Sequence, residues 1–420
     1  MYQKSVLDNK LRVVTSSMPH TRSVSVGVFI GAGSRYEKAE QAGISHFIEH
    51  LCFKGTERRR TAKEISESIE GVGGLLNGGT DKELTIYWCK VARPHFSLAV
   101  DILADMLSYS RFDPEEIEKE RQVIIEEINM CLDSPQQRVD LLIDEVMWPN
   151  HPLGRDIAGT RTTVGKLMRE DMLRHFDSQY LANNTVVSVA GDISHQEVVA
   201  SMEETFGHWK KGIRQEWYAA DSPQQEPRLR VERRDTEQAH FCLALPGLSL
   251  QHPDRFALDL LNAVLGEGMS SRLFLEIREN RGLAYAIHSY ADHFLDTGAL
   301  IVYAGIDPRQ LPGCVEAVLA ELNQLKREEV PKDELKKAKE FCKGRLLLRM
   351  EDTRSVSGWL GGQEFLLGNI LTVDEVVSII DSIQVDDMIR VARELFVPER
   401  LNLAVVGPVE EKDIQGLLHL

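Results

Sequence analysis

Residues 212–235 carry mixed charge, Pro223 and Pro227, and no sustained hydrophobic period, and on either side of them the chain repeats one plan. Before this stretch come strand-like runs at 11–16 and 23–30, a helix from about 42 to 53, and a shorter helix at 61–70. A strand-like run at 84–91, further helices, a strand at 185–190 and a helix at 194–206 complete the first half. After it come a strand at 241–245, a helix at 253–265, strand-like runs at 283–290 and 298–305, and long helices to about residue 396. A strand at 401–406 and a final helix close the chain. Its 420 residues exceed one ordinary core. The repeated plan predicts a duplicated α+β fold, with a mixed or antiparallel sheet packed with helices in each copy. The predicted boundaries are 1–211 for the first domain, 212–235 for the linker and 236–420 for the second domain.

The formal net charge of −16 excludes nucleic acid as the main partner, because phosphates need a basic stripe that is not there. Such a charge marks a solvated acidic exterior or a surface that draws cationic ligands. Residues 1–10 hold no apolar stretch of signal-peptide length, and the run 24–33 alternates as a strand does and is too short to span a bilayer. The expectation is a soluble, cytoplasmic protein with no membrane partner. The six cysteines are scattered with no C-x-x-C pair, as expected of reduced core thiols.

The strongest chemical signal is His46-Phe47-Ile48-Glu49-His50. On a helix, residues four apart share a face, so both imidazoles can reach one ion. Glu49 lies beside that face and can approach a metal-bound water without binding the metal. Two histidines need a third ligand. The segment that opens with Asp113 as N-cap, Pro114 at the first helical position and Glu116 completing a capping box supplies it. Glu120 and Glu127 are seven apart and so on one face, while Glu126 is turned about 100° to the flank. One of the aligned pair can bind metal and the other can support a ligand imidazole. The glycine-rich stretch 71–79 fits neither G-x-G-x-x-G nor a P-loop, which excludes nucleotide binding there.

At these residues the chain resembles the pitrilysin/insulinase family of inverted-motif zinc peptidases, in its short, processing-peptidase-like branch. The stretch AGISHFIEHLCFKGT (42–56) is similar to the family's metal helix, and ERQVIIEEINM (120–130) to its third-ligand helix. The resemblance implies one Zn²⁺ per chain held by His46, His50 and Glu127, with Glu49 as the base and Glu120 as the supporting acid. GGLLNG (73–78) resembles the strand on which such enzymes pair their substrate, with Leu76, Asn77 and Gly78 as substrate contacts. The family's usual dipeptide there is Asn-Ala, and Gly78 departs from it. GEGMSSR (266–272) and RENRGLAY (278–285) resemble the substrate-holding segment, whose Arg and Tyr fall on Arg278 and Tyr285. The second half shows no second metal motif, as the family implies for that half.

The fold so implied is one half of a clamshell. The activity is endoproteolysis of peptides or unfolded, presequence-like segments, and the assembly is a homodimer or a heterodimer with a related subunit. The competing reading is a non-catalytic core or partner subunit; the resemblance implies that such relatives usually lose the metal residues, and this chain keeps His46, Glu49, His50 and Glu127.

Overall fold

The computed structural model describes residues 2–220 and 224–418. Its strands are β1 (Tyr2–Val6), β2 (Arg12–Ser17), β3 (Ser23–Ile30), β4 (Leu75–Thr80), β5 (Thr85–Ala92), β6 (Thr185–Gly191), β7 (Arg228–Arg233), β8 (Ala239–Pro246), β9 (Ala284–His293), β10 (Gly298–Ile306) and β11 (Asn402–Gly407). They form two sheets, ordered β1-β2-β6-β3-β5-β4 and β7-β11-β8-β10-β9. In each, one parallel pair (β2 with β6, β7 with β11) is followed by antiparallel neighbours. Without β1, the two sheets match strand for strand in chain order and direction, which is the duplicated α+β fold read from the sequence.

The units of packing are not the two continuous halves expected from the linker. One compact unit comprises 1–129, 155–218 and 348–372, and the other 130–154, 219–347 and 373–420. Each takes a helix from the opposite half of the chain. Helix Thr353–Leu367 lies on β3, β6 and β2 of the first sheet, and helix Pro135–Met147 lies on β11 and β8 of the second. This explains β3. Alternation at Val24, Val26 and Val28 predicts one buried face, yet Val24–Ile30 are all buried, because Ser25, Gly27 and Phe29 face the borrowed helix. Gly361 permits the approach: a Cβ there would lie 2.1 Å from Phe29 Cε2.

Several local readings need correction. The helix at 135–147 was not expected after the break at Pro135. Ser134 caps it by accepting from Gln137 N, and Pro135 occupies its first turn, where a missing N–H costs nothing. The expected helix near 164–179 is two, Arg161–Lys166 and Arg169–Gln179. After β11 only a single 3-10 turn, Glu411–Asp413, forms among the described residues. Asp113 caps its helix through Glu115 N at 3.0 Å, but Glu116 pairs with Lys119 at 2.6 Å instead of closing a capping box.

Candidate metal centre

The helix Ile44–Cys52 packs on β4, burying Ile44, Phe47, Ile48 and Leu51. Its N-terminus is held by Glu37, whose carboxylate accepts from Gly43 N and Ser45 N, both at 2.8 Å. Gly43 has φ 95°, and a Cβ there would fall 2.4 Å from Ala158 O, so only glycine fits. Burial pushes the Glu37 carboxyl up to about 7, against those two hydrogen bonds and the charge of Arg155. On the half-exposed face of this helix stand His46 and His50, ring centroids 4.6 Å apart.

Helix Pro114–Asp133 runs past them, anchored by Arg121. Its guanidinium donates to Leu167 O at 2.9 Å and to Val164 O, and stacks over Phe47. The anchoring presents the aligned glutamates to the histidines. Glu127 Oε2 lies 3.8 Å from His46 Nε2 and 3.8 Å from His50 Nε2, and one ligand atom from each of the three lies within 4.8 Å of the others. Glu120 Oε2 sits 3.1 Å from His50 Nδ1, and its Oε1 accepts from Lys54 at 2.7 Å. Glu126 is exposed and bonds Asn129. The packing thus distinguishes the two aligned glutamates: Glu127 converges on both rings and Glu120 backs one of them.

Two imidazole nitrogens and one carboxylate oxygen are a zinc donor set. Donors bound tetrahedrally at about 2.0–2.2 Å lie roughly 3.3–3.6 Å from one another, close to the separations found here. His50 Nδ1 is taken up by Glu120, which leaves Nε2 as its free donor. His46 Nδ1 is buried without a partner, and burial with the neighbouring His50 pushes this ring down to about 4, so it is neutral with a lone pair to give. The residues therefore fit zinc.

Glu49 is buried beside this group. Thr80 Oγ1 donates to its Oε2 at 2.9 Å. Burial raises the Glu49 pKa and repulsion from Glu127 adds to this, opposed by the Thr80 bond and the His50 charge. Burial lowers the pKa of His50, but the Glu120 bond and the charges of Glu127, Glu49 and Glu120 outweigh it and raise it. Gly78 stands directly against Glu49: a Cβ at Gly78 would lie 2.9 Å from Glu49 Oε1 and 3.0 Å from Phe53 Cε2. The departure from Asn-Ala thus opens space beside Glu49. Leu76 and Thr80 share the face of Gly78, and exposed Asn77 accepts from Gly78 N at 2.8 Å.

Three contributors escaped the sequence reading. Thr80 follows Gly78 by two and so shares its face of the strand, a usable signal. Lys54 follows His50 by four, which weakly signals a neighbour. Glu37 left no sequence signal, because it reaches the helix through a loop.

Arg278 and Tyr285 meet in the other unit. Arg278 lies in the π-helical turn Phe274–Asn280, a form frequent at functional sites, and its guanidinium sits 4.8 Å over Phe274 and 5.7 Å from the Tyr285 ring. Tyr285, on edge strand β9, is 77% exposed.

Residues 12–161 match the family described as insulinase, peptidase family M16, and residues 166–341 match the peptidase M16 inactive domain. The chain belongs to peptidase family M16. An uncharacterized zinc protease of Bacillus subtilis, YmxG, is 38% identical over 409 residues, covering 97% of this chain and 98% of that one. A zinc protease of Streptomyces coelicolor, described in the same way, is 36% identical over 99% of this chain and 91% of its own. Among solved structures, a protease from Helicobacter pylori superposes with TM-score 0.92 at 24% identity, over 97% of this chain and 99% of that one. A chain of complex III2 from Candida albicans superposes with TM-score 0.84 at 22% identity, over 98% and 97%. These two share the M16 fold with this chain. No helix among the described residues is long and apolar enough to cross a membrane.

Proposed function

We propose that this M16 chain is a zinc-dependent endopeptidase acting on peptides or unfolded segments. The observation that carries the reading is the convergence of His46, His50 and Glu127 beside a buried carboxylate, Glu49, whose Oε2 is held by Thr80. His46 Nε2, His50 Nε2 and Glu127 would hold one zinc per chain. Bound there, zinc supplies an acidified water and polarises the scissile carbonyl. Glu49 Oε1 takes the proton of that water and returns it to the departing amine, while Thr80 fixes Oε2. Glu120 holds His50 in the tautomer that leaves Nε2 free to bind. A peptide adds as a strand to the free edge of β4, beside Leu76, Asn77 and Gly78, so its backbone gives affinity and orientation.

We further propose a homodimer in which Arg278 and Tyr285 of one copy complete the centre of the other. Arg278 holds a substrate carbonyl through its fork of donors, and Tyr285 donates to the oxyanion. The exposure of Tyr285 and its contact with Arg278 support this part, and two-fold closure is the commonest oligomeric arrangement. The names of the relatives support zinc and proteolysis.

The non-catalytic reading takes support from the fold shared with a complex III2 chain, but it requires no metal set, and the grouping of His46, His50 and Glu127 favours the peptidase. Zinc content and cleavage of a quenched fluorescent peptide, with and without chelator, decide between them. The peptidase binds about one zinc per chain and loses cleavage on chelation. A chain that binds no zinc and cuts nothing is the partner subunit.

A further inference from the structure

Behind the metal centre, on the opposite face of the first sheet, lies a cavity of about 330 Å³. Its floor is Ile86 and Trp88 of β5, its mouth is Gly79 on edge strand β4, and it is closed by Gly358 and Arg354 of the borrowed helix and by Arg349 at the end of the preceding helix Lys332–Arg349. Two facts mark it as more than a packing gap. A Cβ at Gly79 or at Gly358 would meet nothing within 4 Å, and neither residue has the left-handed backbone that demands glycine. Neither glycine is required by the fold, and each leaves the cavity open. The second fact is charge. Arg349 and Arg354 have no carboxylate within salt-bridge distance among the described residues, in a chain of net charge −16. Of the two acids between them in sequence, Asp352 is already engaged by Lys90 and by Ser355 N and Oγ, and Glu351 is exposed and pairs with neither. The Arg354 guanidinium sits over Trp88, its Cζ 3.9 Å from the ring centroid, and a guanidinium so stacked keeps its in-plane N–H donors for a carboxylate.

We infer that this cavity is a specificity pocket for an acidic side chain of the substrate, glutamate above all; the inference rests on the reading of β4 as the strand to which peptide adds. Successive side chains of an added strand point to opposite faces. The residue opposite Gly78 faces Glu49. Its neighbour opposite Gly79 faces the other way, about 5 Å from a β4 position that carries no side chain. A long side chain there leans across Gly79 onto Ile86 and Trp88, and its tip arrives at the two guanidinium groups. An apolar floor suits the methylene stem of glutamate, and the paired forks suit its carboxylate. The overall acidic charge opposes such a substrate only at long range, where salt screens it within about 8–10 Å.

The test is cleavage of a peptide library by the zinc-loaded full chain, read by mass spectrometry, followed by kcat/KM on matched peptides with Glu or Gln at the enriched position. We expect Glu to exceed Gln by about tenfold or more, the factor one charge-assisted hydrogen bond supplies. In the Arg349→Gln/Arg354→Gln double variant the ratio falls to about one. Arg354→Glu turns the preference toward Lys, and Gly358→Leu, which fills the cavity while keeping both arginines, removes the preference for Glu. Cleavage without a Glu preference, or with a preference that the double variant retains, overturns the pocket and leaves the peptidase reading standing. A wild-type chain that binds zinc and cuts no peptide overturns the peptidase reading and the pocket with it.

Discussion

Glu120 lies 3.1 Å from His50 Nδ1 through one carboxylate oxygen while the other oxygen accepts from Lys54 at 2.7 Å. Burial alone would raise the pKa of this carboxyl. The bonds from His50 and Lys54, with their charges, outweigh burial and hold it below the usual range. An ionised carboxylate behind an imidazole fixes its tautomer and strengthens its donation through the far nitrogen. Glu120→Gln should therefore weaken zinc binding or activity by roughly 10–100-fold without unfolding the chain. Competition with a chelator of known affinity measures this, and an unchanged zinc affinity and rate would show Glu120 to be structural only.

The two adjacent glutamates of the same helix should behave oppositely. Glu127→Gln removes the one carboxylate that, among the described residues, reaches both imidazoles, and it should lose zinc on dialysis. Glu126→Gln changes an exposed side chain whose partner is Asn129 and should be nearly silent. Metal stoichiometry after dialysis decides it, and zinc loss from the Glu126 variant alone would place the ligand one residue earlier.

Glu37 gives the fold a specific pH dependence. Its carboxyl titrates near 4.5 when unfolded and is pushed up to about 7 when buried against the metal helix. Between those values the folded state keeps a proton that the unfolded state has lost. The Glu37 contribution is thus fully present below 4.5 and declines as pH rises towards 7, by about 3 kcal/mol. Glu37→Gln cannot titrate. Urea unfolding of both proteins from pH 4.5 to 8 should show wild-type stability falling relative to the variant up to about pH 7 and level beyond it. A flat difference would contradict the burial of an ionisable carboxyl there.

Glu49→Gln should retain zinc and lose on the order of 10²–10⁴-fold in turnover, because the amide cannot accept the proton of the water. Tyr285→Phe should also be nearly inactive. If Tyr285 acts in trans, mixing the two inactive homodimers restores activity, since one of the two sites in each mixed dimer is intact. The ceiling is about half of wild type per mixed dimer. Subunit exchange confirmed by mass with no return of activity would place Tyr285 and Glu49 of one site on the same chain.

Much of the centre was legible because it is local. His46, Glu49 and His50 owe their common position to the turn of one helix, and helical periodicity is written in the spacing. The same rule put Glu120 and Glu127 on one face, and the repeated strand order foretold two sheets of one topology. Periodicity could not say which glutamate meets the imidazoles. That depends on where Arg121 docks its helix, through Val164 O and Leu167 O far along the chain. Nor could the sequence show that helices Pro135–Met147 and Thr353–Leu367 each cover the sheet of the opposite half, because an amphipathic face carries no address for the surface it will bury. Tertiary packing alone decided that exchange, and with it the burial of β3, the cavity behind β4 and the seating of Glu37 against the metal helix.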